Sequence, residues 1–282
     1  MQRNGQLNIA QAGRNMNRTQ IKKNIAQTIF SWTESIVDYP LRTSVRQDLV
    51  VSGGCIASML LDQPVQDYDI YFRTPAIAKA LAKYYLGVAG LIDNGMWDGG
   101  VLVDGNSVTV DGAPYYVELK SCSSGFTPLY FSKNAITLSG GIQLVLRFCG
   151  NIESVHKTFD FVHSKNYYAD GELVLDQFSL ESILAKELHY VGSGFPVSAL
   201  YRVFKFTKRG WKIPPGELMK ICYDISKLDL DDPSVIEDQL GGVYGSRAAK
   251  ELEKFSRLTR ADFFAVMEGY TPVNPAHDGN YK

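Results

Sequence analysis

Between Asp48 and Phe72 the sequence changes texture every few residues, and few folds accommodate that alternation. Leu49-Val50-Val51 is a short β-branched run that stops at Ser52-Gly53-Gly54. Cys55 to Leu61 follows with apolar residues nearly all round, the mark of a buried helix. Gln63-Pro64 ends it, and Tyr68-Asp69-Ile70-Tyr71-Phe72 reads as a strand. The unit is thus strand, two-glycine turn, buried helix, strand. Glycines at such a turn let the backbone approach a ligand closely, and the start of the following helix offers N–H groups to an anion. The two-residue period of a strand puts Asp67 and Asp69 on one face, with Tyr68 and Ile70 facing away. Two such carboxylates repel each other unless a cation lies between them. Mg²⁺ is suited to that place, because it takes one or two carboxylates together with substrate phosphates.

Gly53-Gly54 followed by Asp67-x-Asp69 with hydrophobic neighbours resembles the nucleotidyltransferase superfamily that includes DNA polymerase β, poly(A) polymerases and CCA-adding enzymes. The run Gly-Gly-Cys-Ile-Ala-Ser-Met-Leu-Leu and then Val-Gln-Asp-Tyr-Asp-Ile looks closest to the bacterial CCA-adding type. That type carries an Arg-Asp pair after the glycines, where this chain has Ser58-Met59. Later segments resemble nucleotidyltransferase-like proteins of tailed phages and large viruses. These are Ile142–Val145, Thr158–Phe161 and the helix end Lys205-x-x-Lys208-Arg209-Gly210-Trp211. The resemblance implies an α+β fold, with a mixed sheet and a helical C-terminal part. It also implies in-line transfer of an NMP from an NTP, with release of pyrophosphate, using two Mg²⁺ (or Mn²⁺) ions. Asp67 and Asp69 would hold the metals and Ser52, Gly53 and Gly54 the β/γ-phosphates. A third carboxylate is expected on a neighbouring strand, and Asp160, between two phenylalanines, is preferred to Glu118.

The rest of the chain is read as an Asn/Gln-rich basic arm (1–17), a nucleotidyltransferase-like domain (18–176), a helical domain (177–268) and an extended tail (269–282). Ile21, Ile25 and Ile29 give a helix from Thr19 to about Val37, and Ile77, Leu81 and Tyr85 one from Pro75 to Leu86. Strands are expected at Gly99–Val103, Ser107–Val110, Tyr115–Leu119, Ala135–Leu138, Ile142–Phe148 and Thr158–His163, with a short helix at Ile152–His156. Beyond Asp176 the spacing is helical. On the Pro196–Arg209 helix, Arg202, Lys205 and Arg209 form one basic stripe, which the domain boundary places beside the cleft, with Arg202 and Lys205 positioned to meet triphosphate.

Composition narrows the function. The 282 residues carry 29 Lys+Arg against 30 Asp+Glu, which excludes a generally basic nucleic-acid coat. Four dispersed cysteines form no metal or redox motif, and with no apolar leader the expected setting is a reducing cytoplasm or a virion assembled there. His156, His163, His189 and His277 have no metal-ligand spacing and are read as structural. The acceptor stays open among an RNA end, a protein hydroxyl and a small molecule. The competing reading is a non-catalytic protein of the same fold that serves as a structural or interaction component, such as part of a phage particle, through its arm and tail.

Overall fold

The computed structural model describes residues 16–92, 99–112, 115–116 and 126–240. The basic arm up to residue 15, the tail and Glu118 lie outside them. The chain folds as α+β, with an eight-stranded mixed sheet and helices on both faces.

Helix α1 (Arg18–Glu34) begins at a capping box, in which Asn17 and Gln20 satisfy each other's backbone N–H. It buries Ile21, Ile25, Ile29 and Trp32 on one side. Helix α2 (Tyr39–Asp48) leads into β1 (Leu49–Ser52); then come α3 (Gly54–Leu60), β2 (Tyr68–Phe72) and α4 (Pro75–Val88). A separate hairpin follows, β3 (Val101–Asp104) and β4 (Ser107–Val110). Next are β5 (Tyr115–Tyr116), β6 (Pro128–Phe131), β7 (Ala135–Leu138), β8 (Ile142–Cys149) and α5 (Ile152–His156). Two short strands, β9 (Tyr167–Ala169) and β10 (Glu172–Val174), precede helices α6 (Gln177–Ala185), α7 (Pro196–Thr207), α8 (Pro215–Ile225) and α9 (Pro233–Leu240).

The sheet runs β10-β9-β1-β2-β8-β7-β6-β5, with β1 and β2 well inside it. Among the described strands of this sheet only the β2–β8 pair is parallel; the other pairs are antiparallel. Strand alternation sorts the two faces. Val51, Ile70 and Phe72 join α1, α2 and α4 in the main core, whereas Val50 and Tyr71 pack with Val155 and Phe159 on the opposite face. Asp69 stands opposite Ser52 in the β1–β2 register and so shares the face of Val50 and Tyr71. A third cluster joins Ala57 of α3 to Ile183, Ala199, Val203, Trp211 and Ile221, bolting the C-terminal helices to the helix after the glycine turn.

One expected strand is absent. Thr158–His163 forms no strand: Phe161 makes a single bridge to Tyr190, and Val162–Ser164 is a 3₁₀ turn. Asp160 instead accepts at its backbone carbonyl from the Val191 N–H, in a loop-to-loop contact. Alternating apolar residues in a buried loop imitate the strand pattern when the loop packs against helices on one side.

Candidate active site

The glycine turn is shaped by the carboxylate beside it. Gly53 has φ +104°, and a Cβ on it would lie 2.7 Å from Asp69 Oδ2, so backbone strain and steric conflict both demand glycine. Its N–H donates to the Ser164 carbonyl at 3.1 Å, which locks the turn onto the 3₁₀ segment. The Ser52 side chain does not face a ligand. It is fully buried, and its hydroxyl donates to the Asn166 carbonyl at 2.9 Å. The hydroxyl lies 3.0 Å from His156 Nε2. A hydroxyl that donates to a carbonyl has lone pairs left, so the neutral His156 ring carries its proton on Nε2 and donates it to Ser52. Burial, then the charge of Lys165, holds the His156 pKa down at about 4, in keeping with that neutral form.

Asn166 was not legible as a site-supporting residue. It is fully buried; its amide donates to Ser179 Oγ at 2.8 Å and its side-chain oxygen accepts from the Asp176 N–H at 2.9 Å. Through Ser52 it ties the glycine turn to the start of α6. Its only sequence signal is a Lys-Asn-Tyr stretch that resembles any loop.

Asp67 and Asp69 lead into and lie on β2, and the Asp69 carboxyl is raised to about 8. Burial is the larger cause and the Asp67 charge the second, while Lys205 and Arg202 pull the other way. The α7 stripe therefore faces the carboxylate pair. The Lys205 ammonium is lowered by burial and supported chiefly by Asp67, and the Arg209 guanidinium is lowered by burial and supported by Asp67. Arg202 acts on Asp69, Lys205 on both carboxylates, and Arg209, just past the end of α7, on Asp67.

Asp160 occupies the Arg202 end. Its side chain is 5% exposed and ion-paired with Arg202, and its other oxygen accepts from Ser193 Oγ at 2.6 Å. Among the described residues no group of three or more His, Cys, Asp and Glu is placed to hold a metal ion. The structure thus brings Asp67 and Asp69 together, sets Gly53 against Asp69, and joins Asp160 to Asp69 through Arg202. His163 is buried beside the C-terminal end of α7 with neither ring nitrogen hydrogen-bonded, packed among Phe161, Phe206 and Trp211. Burial pushes its pKa down to about 3. Cys55 and Cys149 are buried free thiols whose pKa values burial raises.

Comparison with known proteins adds a family and a set of structural likenesses. A CCA-adding enzyme in complex with CTP is 12% identical, with a TM-score of 0.45, over 90% of this chain and 54% of that one. The Thermotoga maritima CCA-adding enzyme complexed with tRNA is 14% identical, with a TM-score of 0.39, over 85% of this chain and 53% of its own. "Gabija anti-defense 2" of Bacillus phage SPbetaL7 is 22% identical over 214 residues, which are 74% of this chain and 45% of that protein. The chain therefore spans less than half the length of its curated relative. The profile of Gad2, the Gabija anti-defense 2 family, matches residues 23–186. With more than half of its residues in that match, the chain belongs to the Gabija anti-defense 2 family.

Proposed function

We propose that this chain is a nucleotidyltransferase-type protein that binds an NTP with Mg²⁺ or Mn²⁺ at Asp67 and Asp69 and transfers its NMP to an acceptor. The observation that carries the reading is the state of Asp69. A carboxyl raised to about 8 beside a second carboxylate is one whose ionisation at neutral pH an added cation favours. That donor set fits a hard divalent cation completed by phosphate oxygens. Such an ion supplies Lewis-acid stabilisation of the transferring phosphoryl group when bound.

The chain's own residues do the rest. Gly53, with no side chain, leaves the carboxylate edge open to a phosphate. Lys205, between the two carboxylates' fields, is placed to neutralise triphosphate charge, with Arg202 beyond it. Ser52 acts through the backbone, since its hydroxyl is spent on Asn166 and His156. Asp160 would become a third ligand only if Arg202 exchanged it for a phosphate.

A second reading has its own observation. The resting Arg202–Asp160 pair and the cations facing Asp67 and Asp69 balance charge without metal, as suits a protein that keeps the fold for binding. In either case the biological role we infer is the one that the family description names, counteracting the Gabija defence during phage infection. The acceptor, whether an RNA end, a protein hydroxyl or a small molecule, decides between modifying a target and merely binding one. Incubation of the chain with each α-labelled NTP, Mg²⁺ or Mn²⁺ and candidate acceptors tests the reading. Label transfer that Asp69→Asn abolishes supports it; nucleotide binding without transfer to any acceptor supports the second reading.

A further inference from the structure

A cleft of ≈ 450 Å³ opens on the Asp67 side of the carboxylate pair, lined by Ser58, Gln63, Pro64, Gln66 and Arg209. Gln66 precedes Asp67 in the chain, whereas Gly53 abuts Asp69 and is not among the lining residues. The cleft walls are fixed by local geometry. Asp62 takes a left-handed φ of +54°, which turns the chain out of α3, and the Gln63 N–H closes the helix on the Ser58 carbonyl at 2.8 Å. On the far side the Gly140–Gly141 turn presses against the Gln66 backbone: a Cβ on Gly141 would lie 3.3 Å from the Gln66 carbonyl oxygen. The Gly141 carbonyl accepts from the Tyr68 N–H at 2.7 Å, so the cleft wall and the carboxylate strand are held by one turn.

The lining presents more apolar than polar surface and carries one charged group, Arg209. Its guanidinium lies over the Phe206 ring, 6.0 Å from the centroid, and half-burial has removed part of its water. A partly dehydrated guanidinium on a fixed wall is a bidentate receptor for an oxyanion. The next cation along α7, Lys205, also acts on Asp67, so positive charge extends from the cleft toward the carboxylates. Gln63 and Gln66 place two carboxamides here, each pairing with a hydroxyl or an amide edge as donor or acceptor. The volume suits a small ligand of mononucleotide size.

We propose that this cleft binds a hydroxyl-bearing phosphate monoester, a sugar phosphate or a mononucleotide, anchored by Arg209 and oriented by Gln63 and Gln66. That this ligand is the acceptor rests on the nucleotidyl-transfer reading; that it binds here does not. The test is calorimetric titration of the metal-free chain, in EDTA, with ribose 5-phosphate, AMP, adenosine and gluconate. Both phosphates bind, while adenosine and gluconate bind at least ten-fold more weakly. Arg209→Gln weakens both phosphates at least ten-fold and Arg209→Lys restores only part of the loss, because the fork is missing. Gln63→Trp, which fills the cleft and removes no charge, also weakens both. Asp69→Asn, which disables the metal site, leaves this binding in place; if it alone abolishes binding, the phosphates sit at the metal site and the proposal fails. The cleft assignment is overturned if Arg209→Gln binds AMP as wild type does, if adenosine or gluconate matches AMP, or if a short 5′-phosphorylated oligonucleotide binds ten-fold tighter than AMP. A difference between ribose 5-phosphate and AMP tells which of the two ligand sources the carboxamides favour.

Discussion

The Asp69→Asn substitution isolates the electrostatic strain at the site. In the unfolded chain this carboxyl titrates near 3.8 and in the folded one near 8. Between those values the folded chain holds a proton that the unfolded chain releases, so this group's contribution to stability is highest at the acid end of the window and falls as pH rises. The gap of about 4 pH units corresponds to a ceiling of about 6 kcal/mol at about 1.4 kcal/mol per unit. Solvent at the partly exposed carboxylate, and loss of the attraction to Lys205 and Arg202, reduce the gain from an uncharged isostere to about 2 kcal/mol. For a chain of this size that is about 4–8 °C in Tm. Thermal melts in EDTA should therefore show Asp69→Asn closer to wild type at pH 5 and higher by about this amount at pH 9. Adding Mg²⁺ at pH 9 should raise wild type only. A variant offset that is the same at pH 5 and pH 9, or that shrinks as pH rises, would refute the reasoning.

Gly53→Ala should destabilise the fold by about 2–3 kcal/mol in chemical denaturation, because its φ of +104° and the 2.7 Å approach to Asp69 Oδ2 both resist a Cβ. Arg202→Ala should cost about 2 kcal/mol at neutral pH by leaving the buried Asp160 carboxylate with Ser193 as its hydrogen-bond donor; recovery of stability in Arg202→Ala/Asp160→Asn checks the cause. His163 is neutral when folded, with a pKa of about 3 against an ordinary 6.5, so its burial weakens the protein progressively as pH falls below about 6.5. His163→Phe should flatten that acid limb of the stability profile while holding Tm at pH 8, since neither ring nitrogen has a hydrogen bond to lose. A steeper acid limb in the variant would show that the ring is protonated in the fold.

The elements that the sequence made legible are those with long or strongly punctuated patterns. The isoleucine stripe of α1, the glycine turn before α3 and the Asp-x-Asp strand fall where spacing puts them. So does the α7 stripe, whose 3.6-residue period carries Arg202 and Lys205 on one side through the helix and Arg209 just past its end. Strands β6, β9 and β10 were not legible. Each has four residues or fewer, and β9 is held by pairing with β1 from more than a hundred residues away, with β10 added at its outer edge, which no local pattern encodes. The same distance hides the site's supports. Ser52 reads as a phosphate-facing serine in the motif, and only the folded chain shows its hydroxyl turned to Asn166 and His156. Asp160 reads as a strand acid because its neighbours alternate, whereas the structure sets it in a loop opposite Arg202.

The lock between the Gly53 N–H and the Ser164 carbonyl has a kinetic consequence. Residues 53 and 164 are 111 positions apart, and β1 lies between β2 and β9, so the turn is not fixed until the chain has closed a long loop. A contact of that span forms late in folding, because its closure entropy is met before any local reward. A ribosome making this chain at about 10 residues per second would have completed β1, α3 and β2 roughly ten seconds before Ser164 exists. During that interval the edge of β1 is unpaired and the carboxylates lie beside a floppy glycine turn. Helix α7, which brings the opposing cations, is later still. The nascent chain therefore passes through a stage with acidic residues displayed and no positive charge against them, when divalent ions or a chaperone are the available partners.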